Sequence, residues 1–391
     1  MPDSDVESID PRELKDRIDA GEAVIILDVR VQSEFEKWSI DGQAVESANI
    51  PYFDFFDDEI DTDSLPSEAQ TSQIVVVCAK GGASEFVAAR LVDEAGIDAV
   101  NLAGGMNGWA KIYERREITG YDGPGRVYQY QRPSSGCLSY LVVADDAAAV
   151  IDPLRVFTDR YRADAEELGV SLALAIDTHV HADHLSGVRH LMDDGVEGVI
   201  PEGAAERGTK YADDARLAAD GDEFHVGDVG IEAVATPGHT TDMTSYLVGD
   251  ALLVTGDGLF VESVARPDLE AGDDGAPAAA RQLYESLQER VLTLPPATLI
   301  AGAHYSEAAA PVADGTYTAQ LGELVERMGA LSLDREAFVD LILADMPPRP
   351  ENHQEIIEVN LGLKEIADEE AFALELGPNN CAASQHSLVA D

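Results

Sequence analysis

One short segment constrains this chain more than any other feature. Ile176-Asp177-Thr178-His179-Val180-His181-Ala182-Asp183-His184-Leu185-Ser186-Gly187 sets three imidazoles and a carboxylate within six positions, directly after an apolar run. Imidazoles rarely crowd into a protein interior without partners, and so dense a set of borderline-soft donors has few explanations other than a shared cation. Three further donors stand singly downstream: His239 in Thr236-Pro237-Gly238-His239-Thr240, Asp257 in Thr255-Gly256-Asp257, and His304 in Ala301-Gly302-Ala303-His304. Each follows a predicted strand, where loops gather above strand ends. His190, His225, His353 and His386 fall outside these motifs and read as surface or core histidines.

A chain of 391 residues exceeds what one hydrophobic core usually organises, so two domains are expected, and 45% apolar residues suffice for two cores. The balance of 26 basic against 75 acidic residues, a formal net charge of −49, makes nucleic acid and anionic membranes poor partners. Only six of the basic residues are lysine, and the acidic residues are spread along the whole length. That pattern suits a salt-adapted cytoplasm, where screening relieves self-repulsion. The sequence has no apolar run long enough to span a bilayer and starts acidic (MPDSDVESID), so a soluble cytoplasmic protein is expected. Cys78, Cys137 and Cys381 cannot make a complete disulfide framework, and a reducing compartment fits.

Residues 1–115 read as alternating strands and helices. Asp10-Pro11 with Glu13 marks a helix start, and the helix ends near Gly21. Short apolar runs at 23–29 and 74–77 suit strands buried on both faces of a parallel sheet; a helix follows over 84–95 and a further strand over 98–102. Gly, Pro and polar residues over 116–126 suggest a linker. Residues 127–350 then read as a mixed layered domain. It has a hairpin at 138–151, helical stretches around 154–168 and 185–193, strands at 231–235, 245–248 and 251–255, and a capped helix at 334–344. Residues 351–391 form a C-terminal helical extension or tail, with a helix near 353–363.

Cys78 closes the 74–77 strand and opens the loop Cys78-Ala79-Lys80-Gly81-Gly82-Ala83-Ser84 ahead of a helix. A thiolate or persulfide placed there lies beneath backbone N–H groups at a helix N-terminus, and Gly81 and Gly82 let the backbone curl tightly. The local pattern alone equally allows a buried cysteine at a strand end. Taken together, Leu27-Asp28-Val29-Arg30, Glu34-Phe35 before Trp38, Ile50-Pro51, the 78–84 loop and Gly104-Gly105 before Gly108-Trp109 resemble a single rhodanese domain. The resemblance implies sulfur transfer, with Cys78 cycling through a persulfide and Lys80, Gly81, Gly82 and Ser84 forming its anion loop. Ala83 stands where many thiosulfate-using rhodaneses carry arginine, so a persulfide donor is as much expected as thiosulfate.

The pattern H-x-H-x-D-H at 179–184 with later donors at 239, 257 and 304 resembles the metallo-β-lactamase superfamily. The expected fold is therefore α/β throughout: an N-terminal rhodanese-type open parallel sheet, then a metallo-β-lactamase αββα sandwich. Two chemistries are implied. In the glyoxalase II branch two zinc ions are bound, one by His179, His181 and His239, the other by Asp183, His184 and His304, with Asp257 bridging, and the bound hydroxide attacks a thioester or lactone. In the persulfide dioxygenase branch one Fe(II) per chain is held by His179, His239 and Asp257, and a small-molecule thiol persulfide is oxidised with O2 to sulfite. The tethered sulfur-carrying module favours oxidation through effective concentration. So does the stretch from Gly258-Leu259-Phe260 to Arg266-Pro267-Asp268, which is similar to the dioxygenase segment. That similarity makes Arg266 a candidate thiol-substrate contact, whereas by itself Arg266 with Asp268 reads as an ion pair. A non-catalytic sulfur-sensing or docking protein is the third reading. Residues 349–360 resemble the C-terminal segment of fused members and carry no assignable chemistry, and homo-oligomerisation stays open.

Overall fold

The computed structural model describes residues 6–56, 60, 62–270, 272–306, 308–344, 346–350, 352–377 and 381–383. The first five residues, His386 and the last part of the expected C-terminal segment lie outside them. The chain divides into two compact units, the first built on Met1–Tyr113 with Arg132–Ser135 and Leu376–Pro378, the second on the remainder.

The first unit carries strands β1 (Ser8–Ile9), β2 (Val24–Asp28), β3 (Val45–Asn49), β4 (Ile74–Val77) and β5 (Ala99–Leu102) in one sheet ordered β1-β5-β4-β2-β3. Every pairing is parallel. Alternate residues of a strand face opposite sides. Ile25, Leu27, Ile74 and Val76 therefore enter one core, and Val24, Ile26, Val75 and Val77 the other. Two cores explain why β2 and β4 read as unbroken apolar runs. The helix Pro11–Asp19 starts as expected, with Asp10 accepting from Arg12 N–H at 2.8 Å, and it is followed by Gly21 at φ +71°.

The second unit stacks two sheets. The first contains β6 (Glu114–Glu117), β7 (Arg126–Arg132), β8 (Cys137–Ala144), β9 (Ala147–Ile151), β10 (Ser171–Ile176), β11 (Glu197–Pro201) and β12 (Arg216–Ala218) in spatial order β12 to β6. The second contains β13 (Glu223–Val226), β14 (Val229–Ala235), β15 (Thr244–Val248), β16 (Leu252–Gly256), β17 (Leu299–Gly302) and β18 (Ala319–Gln320) in sequential order. Leu138, Tyr140, Ile151 and Ile176 from one sheet pack on Phe224, Ile231, Tyr246 and Val254 from the other. The outer face of the second sheet is covered by helices Gly272–Ser286 and Arg335–Ala344, whose Leu283, Phe338 and Ile342 meet Leu253 and Ile300. Helices Thr158–Glu167 and Val188–Asp193 lie on the first sheet. This is the expected αββα sandwich. Glu114–Glu117 pairs antiparallel with β7, so 118–125 turn between two strands of this unit.

The helix expected from 185 begins only at Val188. The reason is nonlocal: the Leu185 carbonyl, which a helix from 185 would give to residue 189, accepts from Arg155 N–H at 2.8 Å and Ser186 bridges to Leu154, while the side chains of Glu375 and Asn360 take the Leu185 and Ser186 N–H groups. The C-terminal segment supplies those partners through helices His353–Asn360 and Asp368–Leu374, which bury Ile356, Val359 and Ala371 against Leu185. Among the described residues, no helix is long and apolar enough to cross a membrane.

Candidate metal centre and cysteine loop

In the first unit Cys78 directly follows β4 and is 5% exposed. Its sulfur accepts from Gly81 N–H at 3.1 Å and lies 3.1 Å from the Ser84 hydroxyl, which also reaches Gly81 O and Asn101 Oδ1. Gly81 takes φ +95° ahead of the helix Gly82–Ala95, and its N–H turns toward the sulfur. A second glycine turn locks the loop from below. Met106 and Asn107 N–H donate to the carbonyls of Cys78 and Ala79, and a Cβ on Gly105 would stand 2.1 Å from Cys78 O. Lys80 is exposed. Asp28 and Arg30 form a buried bidentate pair, which gives their motif a structural role.

In the second unit the seven motif residues converge at strand ends. His179, His181, Asp183 and His184 follow β10, His239 follows β14, Asp257 follows β16 and His304 follows β17. All are buried. They fall into two groups by what their polar atoms touch. His179 Nε2 lies 3.7 Å and His239 Nε2 3.4 Å from Asp257 Oδ2. None of these three atoms has a hydrogen-bond partner. The opposite ring nitrogens are both held: His239 Nδ1–H donates to the Arg266 carbonyl at 2.9 Å, and His179 Nδ1 lies 2.9 Å from the Thr178 hydroxyl, whose proton goes to Asp152. Both Nε2 lone pairs therefore face the unpartnered carboxylate oxygen. Buried polar atoms seldom stay unpaired, and this trio fits a cation held by two imidazoles and a carboxylate. Burial and the neighbouring His181 push His179 well below the usual imidazole range, so it stays neutral and able to ligate.

The other donors pair in part with one another, while Asp183 Oδ1, His184 Nε2 and His181 Nδ1 keep no hydrogen-bond partner. His304 Nδ1 lies 2.6 Å from Asp257 Oδ1 and its Nε2 2.7 Å from Asp183 Oδ2. Burial alone would lower the His304 pKa, but these two carboxylates hold it well above its usual range. His184 Nδ1 reaches Asp183 Oδ2 at 3.1 Å, and His181 Nε2 reaches Asp152 Oδ1 at 3.1 Å. Two cysteines also enter the site. Cys137 Sγ lies 3.4 Å from Asp183 Oδ2, within a compact group with His184 and His304. Cys381 groups with Asp183, Asp257 and His304. Neither was singled out as a ligand from sequence, nor were Asp152 and Asp177: nothing in local spacing connects Cys137, Cys381 or Asp152 to the histidine motif, and Asp177, although within residues 176–187, precedes the H-x-H-x-D-H pattern.

Arg266 is 1% exposed, and its guanidinium is bound to Asp268 and the Pro348 carbonyl. Its visible contribution to the site is the backbone carbonyl behind His239. Asp268 also accepts from Arg349 Nε at 2.7 Å.

Residues 10–112 match the family model of the rhodanese-like domain, and residues 133–304 that of the metallo-beta-lactamase superfamily. Persulfide dioxygenase ETHE1 of Bos taurus is 32% identical over 202 residues, covering 50% of this chain and 74% of that protein. Hydroxyacylglutathione hydrolase of Brucella anthropi is 30% identical over 242 residues, covering 60% and 85%. The crystal structure of ETHE1 from Myxococcus xanthus superimposes with a TM-score of 0.52 at 30% identity, covering 61% of this chain and 98% of that one. The chain belongs to the metallo-beta-lactamase superfamily. Its first unit carries the rhodanese-like domain.

Within this metallo-beta-lactamase unit the pair behind His239 yields a prediction. Asp268 is buried and packs closely against the guanidinium groups of Arg266 and Arg349. Burial raises its pKa, but hydrogen bonds from Arg266 and Arg349 outweigh this and hold it below the usual carboxylate value. Its contribution to stability is thus whole above an unfolded pKa of about 3.9 and is lost as pH falls through the lower folded value. Asp268→Ala strands a buried guanidinium and is expected to cost about 3–5 kcal/mol at neutral pH, read by denaturant unfolding. A loss below about 1 kcal/mol would place the pair among exposed ion pairs.

Proposed function

We propose that this chain is a persulfide dioxygenase with an attached sulfurtransferase domain, holding one Fe(II) through His179, His239 and Asp257. The observation that carries the reading is the convergence of three buried, unpartnered atoms, His179 Nε2, His239 Nε2 and Asp257 Oδ2, beside a His304 engaged at both ring nitrogens by Asp257 and Asp183. The similarity to persulfide dioxygenase ETHE1 supports the same reaction class. Iron bound there would supply open coordination positions and the one-electron chemistry that O2 requires and zinc lacks.

The chain's own residues provide the rest. Arg266 O and the Thr178 hydroxyl keep both imidazoles in the tautomer that turns Nε2 inward, and the buried site excludes bulk water. The overall reaction balances as R–S–SH + O2 + H2O giving R–SH and sulfurous acid: the terminal sulfur is oxidised, O2 is reduced, and the thiol is released. In the first unit Cys78 attacks the outer sulfur of a persulfide donor, the donor's S–S bond breaks, and the donor leaves as a thiol. The resulting Cys78 persulfide is stabilised by Gly81 N–H and the Ser84 hydroxyl. The acidic composition supports a salt-rich cytoplasm as its setting.

A second reading, a two-zinc thioester hydrolase, draws on the compact Cys137, Asp183, His184 and His304 group and on the likeness to hydroxyacylglutathione hydrolase. Anaerobic purification with metal analysis, followed by oxygen uptake on adding a small-molecule persulfide, separates the two. About one iron per chain with persulfide-dependent uptake is expected. Two zinc ions, no uptake and thioester cleavage would overturn the dioxygenase reading.

A further inference from the structure

The histidine loop has almost no regular secondary structure between β10 and Val188, so its backbone polar groups need partners from elsewhere. One buried side chain supplies three. Asn360, 6% exposed, donates through Nδ2 to the carbonyls of His181 and His184, both at 2.9 Å. Its Oδ1 accepts from Ser186 N–H at 3.0 Å. Glu375 accepts from Leu185 N–H at 2.8 Å, and the Ser186 hydroxyl donates to Asp177 at 2.6 Å. A single amide thus ties three points of the loop, and the residues that carry it lie beyond both family-model matches.

We propose that Asn360 is a positioning residue for metal binding: by pinning the backbone on either side of Asp183 it fixes the loop curvature that turns His179 Nε2 toward His239 and Asp257 and withdraws His181 toward Asp152. This deepens the metal-binding reading and rests on it. The chemistry requires an amide. Asparagine meets two carbonyls with two donors and one N–H with an acceptor. Aspartate keeps the acceptor but sets negative charge against two carbonyl oxygens. Glutamine is one methylene too long for a site closed by Leu185, Ile356 and Val359. Asn360 also borders the cavity shared with Asp177, His179, His181 and Tyr211, so a smaller side chain leaves the loop room to relax.

The test uses the full chain and Co2+, whose visible absorption reports ligand geometry. The unaltered chain is expected to bind Co2+. Asn360→Asp and Asn360→Ala are expected to weaken binding by about 10–100-fold, the usual cost of losing a group that orients a ligand from behind, and to shift the visible bands. Lower thermal stability with unchanged Co2+ affinity and spectrum would show a merely structural role and overturn the proposal. If the variants do not fold, hydrogen exchange in the unaltered chain decides. The Ser186 amide should slow on Co2+ addition, because clamp and metal share one loop, and an unchanged rate overturns the proposal. No Co2+ uptake by the unaltered chain is a different failure, that of the metal-binding reading itself.

Discussion

Replacing His239 by alanine is expected to strip the second unit of its metal and abolish persulfide-dependent oxygen uptake, while sulfur transfer by the first unit continues. His239 provides one of three converging donors, and its ring is held by the Arg266 carbonyl with Nε2 turned toward Asp257. His304 is engaged at both nitrogens by Asp257 and Asp183, and His181 faces Asp152. The fall in iron affinity should exceed the roughly 10–100-fold that follows loss of an orienting group, because a ligand itself is removed. Metal analysis of anaerobically purified protein reads this directly. Unchanged iron content would remove His239 from the ligand set, and iron loss with oxygen uptake intact would separate the metal from the reaction.

Cys78→Ser is expected to abolish sulfurtransferase turnover while oxidation of a supplied low-molecular-weight persulfide stays close to that of the unaltered chain. The hydroxyl is a far weaker nucleophile than a thiolate and cannot carry a sulfane sulfur. The substitution removes one polarisable atom and leaves Gly81 N–H an oxygen acceptor, so the loop should keep its shape. The measurement pairs sulfur transfer from a persulfide donor to cyanide with oxygen uptake on the same preparation. Oxidation lost with the metal retained would mean that oxidation depends on the Cys78 persulfide, and the division into two independent sites would fail.

Much of this protein was legible along the chain because its informative features are local. Unbroken apolar runs at β2 and β4 called for a parallel sheet buried on both faces, whereas the loop of glycines after Cys78 left an anion cradle and a buried cysteine at a strand end equally open until the family resemblance was added. Six positions crowded with imidazole and carboxylate called for a cation. Family resemblance then named the αββα sandwich that the paired sheets display. Helix boundaries were less legible. Residues 185–187 have helical character, yet they stay in the loop because the Leu185 carbonyl is taken by Arg155 N–H and Ser186 bridges to Leu154, partners from a separate segment of the chain.

The amino-acid sequence determined which donors exist and that each sits at a strand end, since strand, turn and ligand type are decided within a few residues. Only the tertiary structure decided how those donors are spent: His179, His239 and Asp257 left facing one another, His304 closed between two carboxylates, Cys137 and Cys381 brought beside them, and Asn360 clamped across the loop. The reason is physical. A lone pair points at a metal or at a neighbour according to which side chains from distant strands and the C-terminal helices reach it first, and spacing along the chain does not record that choice.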